Sequence, residues 1–141
     1  SVLNKKISPE DVEKITGAPK TKLIHDFLSA VTTRDVPKAF SALQKVEEKG
    51  SDMRLFLSLS LDRLRAAMLL SYAPDMREAL RTEYTDEDFA FLEGMAKNEN
   101  IRALLPKILT ELLASSAQAA RASIPALPIE LAVVRVCEAQ V

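Results

Sequence analysis

Apolar side chains recur along this chain at three- and four-residue steps, and the stretches they mark are separated by short polar joints carrying proline or glycine. That rhythm predicts helices rather than strands. Ser8-Pro9-Glu10-Asp11 puts a hydroxyl cap, a first-turn proline and two carboxylates in order at a positive helix end, predicting a short helix from Pro9 to Thr16. A second helix starts at Pro19 or Lys20, with Leu23, Phe27 and Val31 at four-residue steps and Ile24 and Leu28 alongside. Asp35-Val36-Pro37 repeats the cap-and-proline opening, and Phe40, Leu43 and Val46 mark one face of a third helix until Gly50.

From Asp52 to about Tyr72 apolar residues occupy most angles, while Arg54, Ser58, Asp62 and Arg65 collect on one stripe, the pattern of a helix at the centre of its fold. Pro74 interrupts, and Asp75 to Arg81 forms a short helix. Thr85-Asp86-Glu87-Asp88 then caps a helix bearing Phe89, Leu92 and Met95. Ile101, Leu104, Leu105, Ile108, Leu109, Leu112 and Leu113 follow the rhythm closely, but Pro106 clashes with the carbonyl four residues earlier, so this helix either kinks or starts late. Gly17, Gly50 and Gly94 each follow such a stretch, where a left-handed C-terminal cap belongs. After a proline-punctuated joint from Ser123 to Pro128, Ile129 to Ala139 carries valines that suit a strand. No partner strand is predicted elsewhere, and an unpaired buried strand leaves its backbone unsatisfied. On a helical wheel Glu130, Arg135 and Glu138 fall within about 140° and leave a mostly apolar arc, so a helix is the better reading.

These elements amount to an all-α fold, a compact irregular bundle of about seven or eight helices. Unequal helix lengths argue against a tetratricopeptide or HEAT array. A chain of 141 residues fits a single domain spanning 1–141. With 48% hydrophobic and 28% charged residues it is globular, and no apolar run approaches the roughly 18 residues of a membrane span. Nineteen basic against twenty acidic residues, net charge −1, remove the electrostatic footprint of a dedicated nucleic-acid binder. The one cysteine, Cys137, cannot form an internal disulfide, and the N-terminus lacks the order of a signal peptide, which makes the cytoplasm the default compartment.

Chemistry is hard to place on this sequence. Three scattered glycines cannot form a phosphate-cradling loop, and His25 with Cys137 falls short of a structural zinc set, so neither cofactor nor metal is expected. Asp86, Glu87 and Asp88 diverge by about 100° per residue and read as a solvated first turn rather than a magnesium site. His25 next to Asp26 has no nucleophile spaced to meet it, Cys137 reads as a small buried hydrophobe, and no catalytic residue is assigned. Phe27, Phe40, Phe56 and Phe89 fit core-facing stripes, leaving Phe91 outside them, and no basic residues interleave the aromatic ones regularly. The lysines Lys5, Lys6, Lys14, Lys20 and Lys22 are broken up by Glu10, Asp11 and Glu13 and read as a solvated face.

The sharper clue is the last predicted helix, whose apolar arc exceeds what a surface helix needs, so it is wedged between two others or shared with another chain. Leu131 and Val134 are its candidate contact positions, with Arg63, Arg65, Arg121 and Arg135 as arginines able to bridge to a neighbouring subunit.

Ile7-Ser8-Pro9-Glu10-Asp11-Val12-Glu13-Lys14-Ile15-Thr16-Gly17-Ala18-Pro19 resembles the start of the third domain of the bacterial DNA polymerase III gamma/tau subunit. Asp35-Val36-Pro37-Lys38-Ala39-Phe40 with Glu47-Glu48-Lys49-Gly50-Ser51-Asp52 is similar to that family's second helical hairpin, and Phe56 to Leu70 to its long central helix. Leu127-Pro128-Ile129-Glu130-Leu131-Ala132-Val133-Val134-Arg135-Val136 is similar to its closing helix; Pro106 and the stretch from Ala114 to Ser123 depart from the pattern. The resemblance implies a clamp-loader collar, an oligomerisation domain partnered by gamma/tau copies, delta and delta-prime. It also implies a fragment without the ATP-binding motor and zinc module that precede this domain in the family, and without tau's later polymerase- and helicase-binding segments. Competing readings are the collar of a sister subunit such as delta, a helical adaptor receiving a peptide in a groove, and an enzyme without a recognisable polar cluster.

Overall fold

A computed structural model describes residues 19–138. The helix predicted from Pro9 to Thr16, and Gly17 after it, lie outside the described residues. Within them are seven α-helices: α1 (Thr21–Thr32), α2 (Val36–Glu48), α3 (Met53–Tyr72), α4 (Arg77–Arg81, entered through a 3-10 turn Pro74–Met76), α5 (Asp86–Lys97), α6 (Glu99–Ala119) and α7 (Ala126–Glu138). No strand occurs among the described residues, so the all-α bundle is as the sequence pattern predicts.

Caps fix where these helices begin. The Asp35 carboxylate accepts from the Lys38 backbone N–H at 3.1 Å, with Pro37 in the first turn of α2. Asp52 accepts from Arg54 and Leu55 at the start of α3, Thr85 from Asp88 at α5, and Asn98 from Asn100 and Ile101 at α6. At the end of α2, Gly50 adopts φ 67°, and its N–H and that of Ser51 bond back to the Glu47 and Val46 carbonyls, the left-handed cap expected there. The same pair of hydrogen bonds ends α1, from Arg34 to Val31 and from Asp35 to Ala30, but the left-handed residue is Arg34 at φ 61°. No glycine announces that turn. Its stability has a tertiary source, since Arg34 Nε donates to the Cys137 carbonyl at the end of α7, 2.9 Å away.

Three boundaries differ from the sequence expectation. Gly94 is not a cap but an exposed interior position of α5, and the cap is Asn98. α7 begins at Ala126 rather than Ile129, because Pro128 falls in the first turn, where its missing N–H has no intrahelical partner to lose. α6 runs through Pro106 without a late start. The proline deprives the Arg102 carbonyl of its usual donor, and the Tyr72 hydroxyl at the end of α3 approaches that carbonyl at a long 3.5 Å, while the Arg102 guanidinium lies 4.5 Å over the Tyr72 ring.

The core gathers around α3, which packs against α1, α2, α5 and α6; α7 lies against α6 and α2. Phe56 of α3 meets Phe27 of α1 edge to face at 5.3 Å, and both are fully buried with Leu57, Leu64, Leu92, Leu105, Ile108 and Leu112. The polar stripe Arg54, Ser58, Asp62 and Arg65 is exposed, as its spacing predicts. Buried hydroxyls satisfy themselves on the helix carrying them, Ser60 donating to the Phe56 carbonyl and Ser115 to that of Leu112, both at 2.8 Å.

The two glycines predict opposite effects. At Gly94 an added Cβ meets nothing within 4 Å, so Gly94→Ala raises stability by about 0.5–1 kcal/mol through reduced chain entropy. Gly50→Ala is also free of steric contact but must hold φ 67°, and lowers stability by about 1 kcal/mol. Denaturant unfolding of the two variants checks both signs.

Candidate subunit interface

α7 turns an arc of Ala126, Ile129, Ala132, Val133, Val136 and Cys137 into the core. Positions 127, 131 and 134, spaced four and three apart, share the opposite face. There Leu127, Leu131 and Val134 remain 45%, 50% and 38% exposed, with Ile124 exposed just before the helix. The arc therefore exceeds what packing against α6 and α2 consumes, and a contiguous apolar ridge is left uncovered. Glu130 flanks the ridge on one side, and on the other Arg135 Nε is held by Glu111 of α6 at 2.8 Å.

The candidate arginines separate by environment. Arg65 and Arg121 are exposed and form no ion pair among the described residues, whereas Arg135 spends its charge on Glu111. Arg63 is half-buried and committed inside the domain: Nη2 donates to Asp88 at 2.8 Å, Nη1 lies 3.5 Å from Asp62, and the guanidinium sits 5.7 Å over the Tyr84 ring. The ridge thus brings Leu131, Val134 and Arg135 together on α7, while Arg63 belongs to a different feature.

That feature is a polar cluster uniting α1, α3 and α5. His25 Nε2–H donates to Asp88 Oδ1 at 2.6 Å, its ring stacked on Phe91 at 4.1 Å, and the Tyr84 hydroxyl donates to Asp62 at 2.8 Å. Asp88, read from sequence as part of a solvated first turn, is buried instead, because its place on α5 faces His25 and Arg63. His25 accordingly has a packing and pairing role with a distant carboxylate rather than with its neighbour Asp26, which pairs with Lys22. Sequence reasoning missed this site because its members lie far apart along the chain. Only Asp88's position three residues past its cap, on the same face as Leu92 and Met95, hinted at burial.

Burial pushes the Asp88 carboxyl up, but the His25 hydrogen bond and the Arg63 charge outweigh it and hold the group below the usual carboxylate range. Burial, reinforced by the bond to Asp62, pushes the Tyr84 phenol up, and burial does the same for the Cys137 thiol, which keeps it protonated and unreactive at neutral pH. His25, Arg63 and Tyr84 thus all bind carboxylates of the cluster itself, and Arg63 Nε is a buried atom left without a partner, so the cluster serves as an internal tie. Among the described residues no group of three His, Cys, Asp or Glu could hold a metal ion, and no helix is long and apolar enough to cross a membrane.

Because the folded-state value of Asp88 is lowered, its contribution to stability is complete above the ordinary carboxylate value near pH 4 and fades as pH falls through the folded value. Asp88→Asn lowers stability at pH 7 by about 3 kcal/mol, since it strands the half-buried Arg63 charge. The same substitution flattens the acid limb below about pH 4, measured as unfolding free energy against pH for both chains.

The family model for domain III of DNA polymerase III subunits gamma and tau matches residues 7–141, nearly the whole chain. No curated protein and no solved structure matched the chain. Domain III of these subunits is a helical, non-catalytic domain, in keeping with the helices described around α3. With that match over nearly its whole length, the chain belongs to the domain III family of DNA polymerase III subunits gamma and tau.

Proposed function

We propose that the chain is an oligomerisation domain, the collar piece through which a gamma/tau subunit joins the clamp loader of DNA replication. Membership of the domain III family supports the clamp-loader role. The observation that carries the finer reading is the ridge of Leu127, Leu131 and Val134, left half-exposed on a helix whose other side is fully packed. Apolar contact along the ridge supplies affinity, and the charges at its rim, Glu130, Arg135 and Glu138, select neighbours. Partners of this kind are other gamma/tau copies, delta and delta-prime, in the cytoplasm, and the domain acts by holding subunits together while chemistry takes place on other domains. The family's designation as a third domain supports reading residues 1–141 as one domain of a longer subunit.

The test is assembly. Mixed with its clamp-loader partner subunits at about 50 µM, the chain enters a complex whose mass is read by sedimentation. Leu131→Asp and Val134→Asp replace exposed side chains, so each keeps the helical circular dichroism and changes stability by less than about 1 kcal/mol. Each weakens assembly by at least about tenfold, because a charge is then desolvated at the joint. Loss of folding in both variants, or undiminished assembly, overturns the reading.

A further inference from the structure

Two adjacent residues tie three helix ends together at one corner of the domain. Arg34 closes α1: at φ 61° it lets its own N–H reach the Val31 carbonyl at 3.2 Å and that of Asp35 reach the Ala30 carbonyl at 2.8 Å. Asp35 opens α2, its carboxylate accepting from the Lys38 N–H. Across the corner, Arg34 Nε donates to the Cys137 carbonyl, one of the last four of α7, which have no donor within their own helix. The guanidinium is thus a C-terminal cap for α7 supplied from 103 residues away, and its charge suits the negative end of that helix.

The conformation at Arg34 is the strained element. A left-handed φ costs free energy at a residue with a Cβ, and glycine, which takes it freely, ends α2 at Gly50 but does not end α1. The last turn of α1 holds without Arg34, because the Thr32 and Thr33 hydroxyls donate back to the Leu28 and Ser29 carbonyls, each at 2.7 Å. The strain therefore sits at one residue, and the bond to α7 offsets it. The corner also has space to move into: Thr32, Thr33 and Arg34 line a cavity of about 410 Å³, together with Asn98, Ile101 and Leu104.

We propose that Arg34 is a two-state clasp that couples the end of α7 to the turn between α1 and α2. Closed, Arg34 is left-handed and the last turn of α7 is capped. Open, the guanidinium leaves the Cys137 carbonyl and Arg34 relaxes to a negative φ. The hydrogen bonds from the Arg34 and Asp35 amides then break together, because both need the left-handed turn, and the last turn of α7 comes free. Neither half opens alone: without α7 the turn loses what offsets its strain, and without the turn Arg34 no longer points at Cys137. Whatever binds the end of α7 in one state only is therefore sensed at the turn, and the reverse holds equally. The coupling belongs to the folded chain itself, whatever meets the ridge.

Native-state amide exchange followed by NMR on the whole chain tests this. The Arg34 and Asp35 amides report the turn, and those of Cys137 and Glu138 report the last turn of α7. In the wild-type chain the two groups are expected to open with the same equilibrium constant, within about twofold. Arg34→Gly keeps the left-handed turn but removes the guanidinium, so the turn amides stay protected while those of Cys137 and Glu138 exchange about tenfold faster, the effect of losing one hydrogen bond from a charged donor. Arg34→Ala lacks both the guanidinium and the freedom of glycine, and both groups exchange about tenfold faster or more. Wild-type groups that open with unequal constants overturn the clasp. So do α7 amides unmoved by Arg34→Gly, an equal loss of protection in both groups of that variant, or turn amides still protected in Arg34→Ala.

Discussion

α3 carries too much apolar surface to lie on any face of this domain. Phe56, Leu57, Leu64, Ala66 and Ala67 cover most of its circumference, and only the stripe from Arg54 to Arg65 tolerates water. A helix of that composition is stable only when other helices surround it, because in water its own propensity is marginal and its burial supplies the free energy. α1, α2, α5 and α6 provide that enclosure, and the remaining helices are placed by what is left over: α7 docks on α6 and α2, and the short α4 returns the chain towards α5. With the enclosing helices occupied by α3, the last helix has company on one side only. The exposed ridge is in this sense a by-product of where the central helix sits.

Enclosure by apolar contact does not by itself fix how α1, α3 and α5 are rotated about one another. The Asp88 cluster adds direction. A buried carboxylate between His25 and Arg63 is satisfied in one arrangement of the three helices and stranded in any that slips by a turn, which costs several kcal/mol where a slipped leucine costs little. The cluster holds titratable groups within hydrogen-bond distance, the raw material of a catalytic site, yet its carboxylates are engaged within it by His25, Arg63 and Tyr84. Proximity of a histidine, a carboxylate, an arginine and a tyrosine is thus compatible with a purely architectural task.

Most of this architecture was legible in the sequence, for local reasons. Asp35, Asp52 and Thr85 cap helices through contacts made within three residues, and Gly50 takes the left-handed conformation that its position after Val46 announces. The three- and four-residue spacing marked the inward faces of α1, α2, α5 and α6, with the exposed Leu113 as the exception, and the unmatched valines of α7 were correctly resolved by the lack of any strand to pair with. What stayed hidden depends on distant partners. Arg34 is left-handed because a carbonyl 103 residues later rewards it, Asp88 is buried because His25 and Arg63 wait on other helices, and Arg63 could not be told from Arg65 by composition. Gly94 misled because a glycine near a helix end usually marks that end, whereas here Asn98 does so three residues after Met95. Leu131 and Val134 were singled out through an excess of apolar character, a signal that survives without knowing the neighbours, and both are exposed on α7.

The Arg34 bond has a mechanical side. Its guanidinium holds the terminal turn of α7, so the helix bearing the ridge is moored at its far end to the first corner of the described chain. Any neighbour gripping that helix pulls on a beam anchored in the α1–α2 corner, so a load on the closing helix is delivered directly to the turn between the first two described helices.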